Sequence, residues 1–376
     1  MVRLQRLSWA DIPQAPITLP GGHQLAITLG LGSGLSRRPS DPPGLVHAVT
    51  DRGPNFFISQ AVDEFGLEHF EHLRAHRDAK VLPTPENGPS IATLRVRDDA
   101  VELVRVVPLV DAAGVRLSGR PPDLPGREPL FDVDGGALTP GAFGGDVEAI
   151  AVLPDGSFAL ADECGPALLF ADARGRVSAR WTPLGAGAAY AHPGVDVRDV
   201  LPERAMRLRP NRGIEALCAS ADGRWLYAGF QSALMGETAD STEIWKLDAA
   251  TGALAAVWRY PFDAPASFKR DAARRAVDLG DLKICEFAWA GEDRLLVLER
   301  IAHTTKIYLA ELGVEITKTL LFTSDDHPEM GPDMEGMALL APDTLVLVTD
   351  NDFGVEGATT EFWRITLDAP VSSVRR

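Results

Sequence analysis

The sequence predicts an all-β fold, a single β-propeller over residues 1–376, and three observations predict it. One hairpin pattern is written four times, with a looser fifth copy. The copies recur at roughly fifty to seventy residues, a spacing that points to a radial array. Between them lie short apolar runs bounded by Gly, Pro, Asn and Asp, which read as strands.

In chain order, residues 23–29 follow a Pro20-Gly21-Gly22 turn and are the expected N-terminal strand that completes the last blade. The loose copy is 32–55, where Gly34 holds the place that Glu takes elsewhere and Asp51-Arg52 closes the second strand. Residues 60–90 are polar, with His69, His72 and His76 at the i, i+3, i+7 spacing of one helical face. A solvated loop-helix reads better there than a metal site. Runs at 91–96 and 101–108 form the first outer hairpin, and 111–146 is an insertion loop rich in Gly, Pro and Asp.

The second copy, 146–166, places Glu148 before an Asp155-Gly156 turn and Asp162-Glu163 after it. Its outer strands are 168–170 and 177–181, followed by an insertion at 183–212. The third copy, 213–232, has Glu215, Asp222-Gly223 and Gln231, with outer strands at 243–247 and 255–260. The fourth, 284–302, has Glu286, a turn near Glu292-Asp293, and Glu299-Arg300, with outer strands at 306–311 and 317–322. The plainest copy is 333–354, with apolar runs at 337–340 and 345–348 around Pro342-Asp343, and a closing strand at 361–367. Five blades account for the length at about 75 residues each; a sixth hidden within 109–147 is the six-bladed alternative.

An antiparallel hairpin sets the start of its first strand beside the end of its second. Glu335 and Asp350 therefore share one rim, as do their counterparts. The innermost strands of a propeller surround a central channel, so these side chains are expected to meet at its mouth. So many carboxylates at short range repel, and either protons or cations must relieve them. An oxygen-rich set with little His or Cys suits a hard divalent cation, Ca²⁺ first, with Mn²⁺ or Mg²⁺ as alternatives. The expected ligands are Asp51, Glu148, Glu215, Glu286, Glu335 and Asp350. Arg52, Arg212 and Arg300 are expected to grip an anionic substrate. Glu163 or Glu299 is the expected general base, and a metal-activated water the nucleophile. No G-x-S-x-G elbow offers a serine instead. The structural alternative is that each Glu caps backbone or pairs with an Arg.

Composition agrees with a soluble protein and a sizeable core: 45% of residues are hydrophobic and mean hydropathy is −0.02. Lys and Arg total 37 against 53 Asp and Glu, a formal charge of −16, which argues against nucleic acid or anionic membrane as partners. It favours a cation, or a small anionic substrate reached through one; solubility explains the acidity equally well. Cys164, Cys218 and Cys285 have no C-x-x-C spacing, so neither a disulfide framework nor a Cys zinc site is expected. A monomer is expected. Residues 1–20 lack an apolar signal core, which reads as cytoplasmic for the chain as it stands, or periplasmic or secreted if it is a processed form.

Particular pieces also carry a resemblance. They are Thr50-Asp51-Arg52-Gly53, Glu148-Ala149-Ile150-Ala151, Leu160-Ala161-Asp162-Glu163, Asn211-Arg212-Gly213-Ile214-Glu215, Gln231-Ser232, Leu298-Glu299-Arg300, Lys306-Ile307-Tyr308, Glu335-Gly336-Met337-Ala338 and Asp350-Asn351-Asp352-Phe353-Gly354. As a set they resemble the phytase-like family, known by the esterase-like activity of phytase. The resemblance implies a β-propeller whose members include metal-dependent phosphoester hydrolases, many of them exported. The fourth hairpin departs from it with Cys285-Glu286, so one ligand is expected to differ.

The expected function is thus a metal-dependent hydrolase of phosphate esters. The alternatives are a calcium-dependent esterase or lactonase, and a non-catalytic propeller whose loops 111–146 and 183–212 bind a partner.

Overall fold

Each of the five copies folds as the hairpin that its apolar runs specify, and each hairpin begins an antiparallel sheet. A computed structural model describes residues 2–374. The first sheet runs Gly34–Ser36, Leu45–Val49, Ser90–Val96, Val101–Pro108. The second runs Val147–Val152, Phe158–Asp162, Ala167–Ala171, Val177–Pro183, with Asp196–Leu201 added in parallel at its edge. The third runs Ile214–Ala219, Trp225–Phe230, Ser241–Asp248, Leu254–Pro261. The fourth runs Lys283–Gly291, Arg294–Arg300, Thr305–Leu312, Ile316–Thr323. The fifth runs Met334–Ala341, Thr344–Thr349, Phe362–Thr366 and ends on Arg3–Leu7. The fold class is all-β.

The first strands of the five sheets neighbour one another in a closed order, first to second and so on, with fifth returning to first. The core is divided accordingly. Trp181 and Trp245 pack between the second and third sheets, Ile307 and Trp363 between the fourth and fifth, Ala48 and Val346 between the fifth and first. Val49 and Leu160 fill the junction of first and second, Tyr227 and Val297 that of third and fourth. Strands with an apolar residue on both faces, as in ALLFA (167–171), are what such sandwiching between neighbours requires.

One expectation is corrected. The strand that completes the last sheet is Arg3–Leu7, paired with Phe362–Thr366, not 23–29. The Pro20–Gly22 turn sends Gln24–Leu25 back onto Ile17–Thr18 in a local hairpin, so it never reaches the sheet. The 109–147 segment contributes a two-residue strand, Leu130–Phe131, to a small three-stranded sheet with Lys80–Val81 and Phe56–Phe57. The histidines at 69, 72 and 76 do not converge. His69 meets the Val133 carbonyl (3.0 Å) and His72 the His69 carbonyl (2.8 Å), as solvated loop residues do. No helix among the described residues is long and apolar enough to cross a membrane.

Candidate active site at the carboxylate mouth

Four of the five inner strands slip by one residue at the same end, and the slipped residues are Glu148, Glu215, Cys285 and Glu335. A bulge leaves one residue out of the ladder and re-aims its side chain. The fourth place therefore belongs to Cys285, and the expected ligand Glu286 is one residue off. One residue along a strand reverses the face. Glu286 instead lies fully buried in the ring, where its carboxyl accepts from the backbone amides of Leu35 (2.7 Å) and Phe287 (3.0 Å). The inner hairpin of the first sheet has no such slip. Its Gly34 is pressed against the Glu148 backbone, and a Cβ there would lie 2.8 Å from the Glu148 carbonyl oxygen.

The bulged residues and the ends of the second strands enclose a cavity of about 110 Å³. Asp51, Asp146, Glu148, Glu163, Glu215, Glu335, Asp350 and Asp352 line it, eight carboxylates against the cations Arg52, Lys80 and Lys283. Oxygens of Asp51, Asp146 and Glu148 lie within 4.8 Å of one another, and so do those of Glu148, Glu335 and Asp350. Glu148 belongs to both triplets.

A model of the phytase-like family, described as the esterase-like activity of phytase, matches residues 27–353. The chain belongs to that family. No curated protein matches it. Solved structures resemble this phytase-like chain only distantly. The PQQ-bound aldose sugar dehydrogenase of Streptomyces coelicolor is 12% identical, covers 98% of this chain and 99% of its own, and has a TM-score of 0.34. A protein of unknown function from Dyadobacter fermentans is 11% identical over 97% and 99%, at 0.40. The virginiamycin B lyase of Staphylococcus aureus is 9% identical over 98% and 100%, at 0.35. Likeness at this level says nothing of what the phytase-like chain does.

The cavity's electrostatics follow from burial and crowding. Burial pushes the Asp51 and Glu148 carboxyls well above the usual carboxylate range, and Asp146 pushes both further. Burial with the Asp352 charge nearby pushes Asp350 up to about 7. Glu163 is raised by burial and by the Glu215 charge, and Gln231 donates to Glu215. Asp146 is the exception: burial acts to raise it, but Arg52 and Lys80 hold it low.

The arginines of the phytase-like chain are placed differently from expectation. Arg52 is buried and engaged by the protein: it binds Glu128, Asp146, the Cys164 sulfur (2.8 Å) and Asn211 Oδ1 (2.9 Å). Arg300 likewise binds Asp333 (2.8 Å), Glu335 and the Cys285 sulfur (3.1 Å). Both hold carboxylates in position. Arg212 differs, since its Nη1 is buried with no hydrogen-bond partner among the described residues.

Glu299 is not brought to the cavity. It lies at the third–fourth sheet junction, accepting from Tyr260 Oη (2.8 Å), Lys318 Nζ (2.6 Å) and the Asp263 amide (2.9 Å). Strand alternation explains this, because Arg300 and its neighbour Glu299 face opposite sides. Glu299→Gln is expected to leave turnover within about twofold while costing on the order of 3 kcal/mol of stability, since Lys318 loses a buried partner. Parallel activity and urea-unfolding measurements check this, and a large activity loss in folded protein would return Glu299 to the site.

Several site residues escaped the sequence reading. Asp146 stands two residues before Glu148 in the same copy, and its spacing was available. Lys80 starts a two-residue strand within a polar insertion, Glu128 lies in an irregular loop, and Lys283 starts the fourth inner strand.

Proposed function

We propose that this phytase-like protein is a metal-dependent hydrolase of phosphate esters, built as a five-bladed propeller with its active site at the carboxylate mouth. The observation that carries the reading is the pair of carboxylate triplets sharing Glu148, one wholly buried and the other half-buried. Three raised carboxyls there, those of Asp51, Glu148 and Asp350, have no arginine partner among the described residues, unlike Asp146 and Glu335. Among the described residues nothing donates to Glu163 Oε1 or Glu215 Oε2 either. Such a set fits a hard divalent cation, Ca²⁺ first and Mn²⁺ or Mg²⁺ next, held by Asp51, Asp146, Glu148, Glu335 and Asp350. When bound, the cation would supply Lewis-acid charge and an activated water.

The chain's own residues do the rest. Arg52 and Arg300 position Asp146 and Glu335. Arg212, with its open donor, and Lys80 and Lys283 on the cavity wall orient the anionic group of a small substrate. Burial and the Glu215 charge raise the Glu163 carboxyl, which favours a role as proton donor to the leaving oxygen over a role as base. A cavity of about 110 Å³ has room for roughly four waters by liquid volume. It admits an ion and a phosphoryl group, and the organic part stays outside the mouth. A carboxylic ester or lactone is the second reading, favoured by the pairing of Arg52 and Arg300 with protein carboxylates, which leaves less positive charge for a phosphate. The 111–146 loop, which an interaction module would offer to a partner, instead sends Glu128 into Arg52.

The test is metal analysis of the purified protein before and after chelation, with aryl-phosphate and aryl-ester assays on both samples. Bound divalent metal with chelator-sensitive phosphatase activity supports the reading. Chelator-sensitive esterase activity alone moves it to the second, and neither metal nor activity sinks both.

Stability should report the same site. A carboxyl raised on folding stabilises the fold only while protonated, and that contribution disappears as pH rises through its folded pKa. The chelated protein is therefore expected to lose thermal stability between pH 6.5 and 8, through the value of about 7 for Asp350. His47, lowered by burial to about 4, works in the other direction but only below about 6.5. Millimolar Ca²⁺ should flatten the decline. A melting temperature that rises with pH over that window in EDTA contradicts the cluster.

A further inference from the structure

We propose that the opposite mouth of the ring is a second ligand site, for a small amphiphile with an apolar body and an anionic head. Turns of all five inner hairpins line a cavity there of about 370 Å³. Its walls are apolar, with Val152, Phe287, Met337 and Leu339 among them. A cavity of a few hundred Å³ with apolar walls and a few polar groups is the make-up of small-molecule sites.

Its charge runs against that of the molecule. The chain carries −16, yet no Asp or Glu lines this cavity among the described residues, and two arginines do. Arg38 is neutralised by Asp41 at 2.6 Å. Arg37 is not: Nη1 and Nη2 donate only to the backbone carbonyls of Leu340 (3.3 Å) and Asp41 (3.1 Å). No ion pair to it is found among the described residues.

A second observation is independent of charge. Arg37 Nε and the Trp289 indole Nε1, both on residues lining this cavity, are buried N–H donors with no acceptor. Buried donors are normally satisfied, and an unsatisfied one costs free energy that a ligand oxygen can recover. Unpaired cationic charge, two orphan donors and apolar walls together fit a medium-chain carboxylate, head towards Arg37 and chain against the turns. The site is separate from the carboxylate mouth. Glu286, bound to the Leu35 and Phe287 amides, fills the ring between them. The inference therefore does not depend on the hydrolase reading.

The test is calorimetric titration of the full-length protein with octanoate, with octan-1-ol as the uncharged probe. Saturable one-to-one binding of octanoate is expected, with octan-1-ol at least about tenfold weaker. Arg37→Met should weaken octanoate to a similar extent and Trp289→Phe several-fold, with bound metal unchanged in both. No saturable octanoate binding, or equal affinity for octan-1-ol, overturns the proposal. So does undiminished binding by folded Arg37→Met. Should that variant fail to fold, the alcohol comparison and Trp289→Phe decide.

Discussion

Replacing Glu148 with Gln is expected to cut chelator-sensitive turnover about a thousandfold, about 4 kcal/mol of transition-state stabilisation, while making the metal-free protein harder to unfold. The two effects have one cause. Glu148 is the carboxylate common to both triplets, so its loss weakens each candidate cation-binding group at once. Without a cation, its charge is opposed by burial and then by Asp146, Glu215 and Asp51. Glutamine keeps the shape and removes the repelled charge, for a gain of about 1 kcal/mol in EDTA. The stabilisation conferred by added Ca²⁺ should shrink in the same variant. Turnover, together with melting temperature in EDTA and in Ca²⁺, gives three readings of one substitution. Wild-type turnover with an unchanged response to Ca²⁺ would falsify the assignment. Lower stability in EDTA would instead make Glu148 a structural partner, whose charge the fold needs.

The hairpin pattern made the five sheets legible because each turn is written locally, in Pro342-Asp343, Asp155-Gly156 or Asp222-Gly223. The rim position of Glu148, Glu215 and Glu335 was legible for the same reason: each bulge falls at the same place in its copy. The fourth copy misled because Cys285 and Glu286 are adjacent and only the ladder's slip decides which one faces the mouth. Glu286 was chosen by residue type, and the physics chose by register. The arginines failed differently. Their positions were legible, but what they bind lies far off in sequence: Glu128 is 76 residues from Arg52, and Glu335 is 35 from Arg300. A guanidinium whose partners come from distant segments cannot be told from a free one in the sequence alone. The closing strand shows the same limit. Arg3–Leu7 carries no alternation, and its place is set by a partner at the far end of the chain, Phe362–Thr366.

Glu286→Ala is expected to be the most destabilising single substitution of those considered, by about 4 kcal/mol. The carboxyl is fully buried at the centre of the ring. It binds the Leu35 amide of the first sheet and the Phe287 amide of its own, and the Met337 and Leu217 amides of the fifth and third also favour its charge. Burial outweighs them and keeps its pKa well above the usual range. One side chain thus satisfies donors of inner strands that cannot pair with one another, because those strands splay towards different sheets. Each buried amide left without an acceptor costs about 1–3 kcal/mol; removing the carboxyl also opens a cavity where the inner strands meet. Gln keeps one acceptor and the volume, so Glu286→Gln should cost less than half as much. As the carboxyl does not line the cavity proposed to hold the metal, Glu286→Gln should retain bound metal and turnover. Urea midpoints order the two variants, and metal content separates the roles. Folded Glu286→Gln devoid of metal would restore Glu286 as a ligand, and an alanine variant as stable as the parent would leave the ring with no need of its central carboxyl.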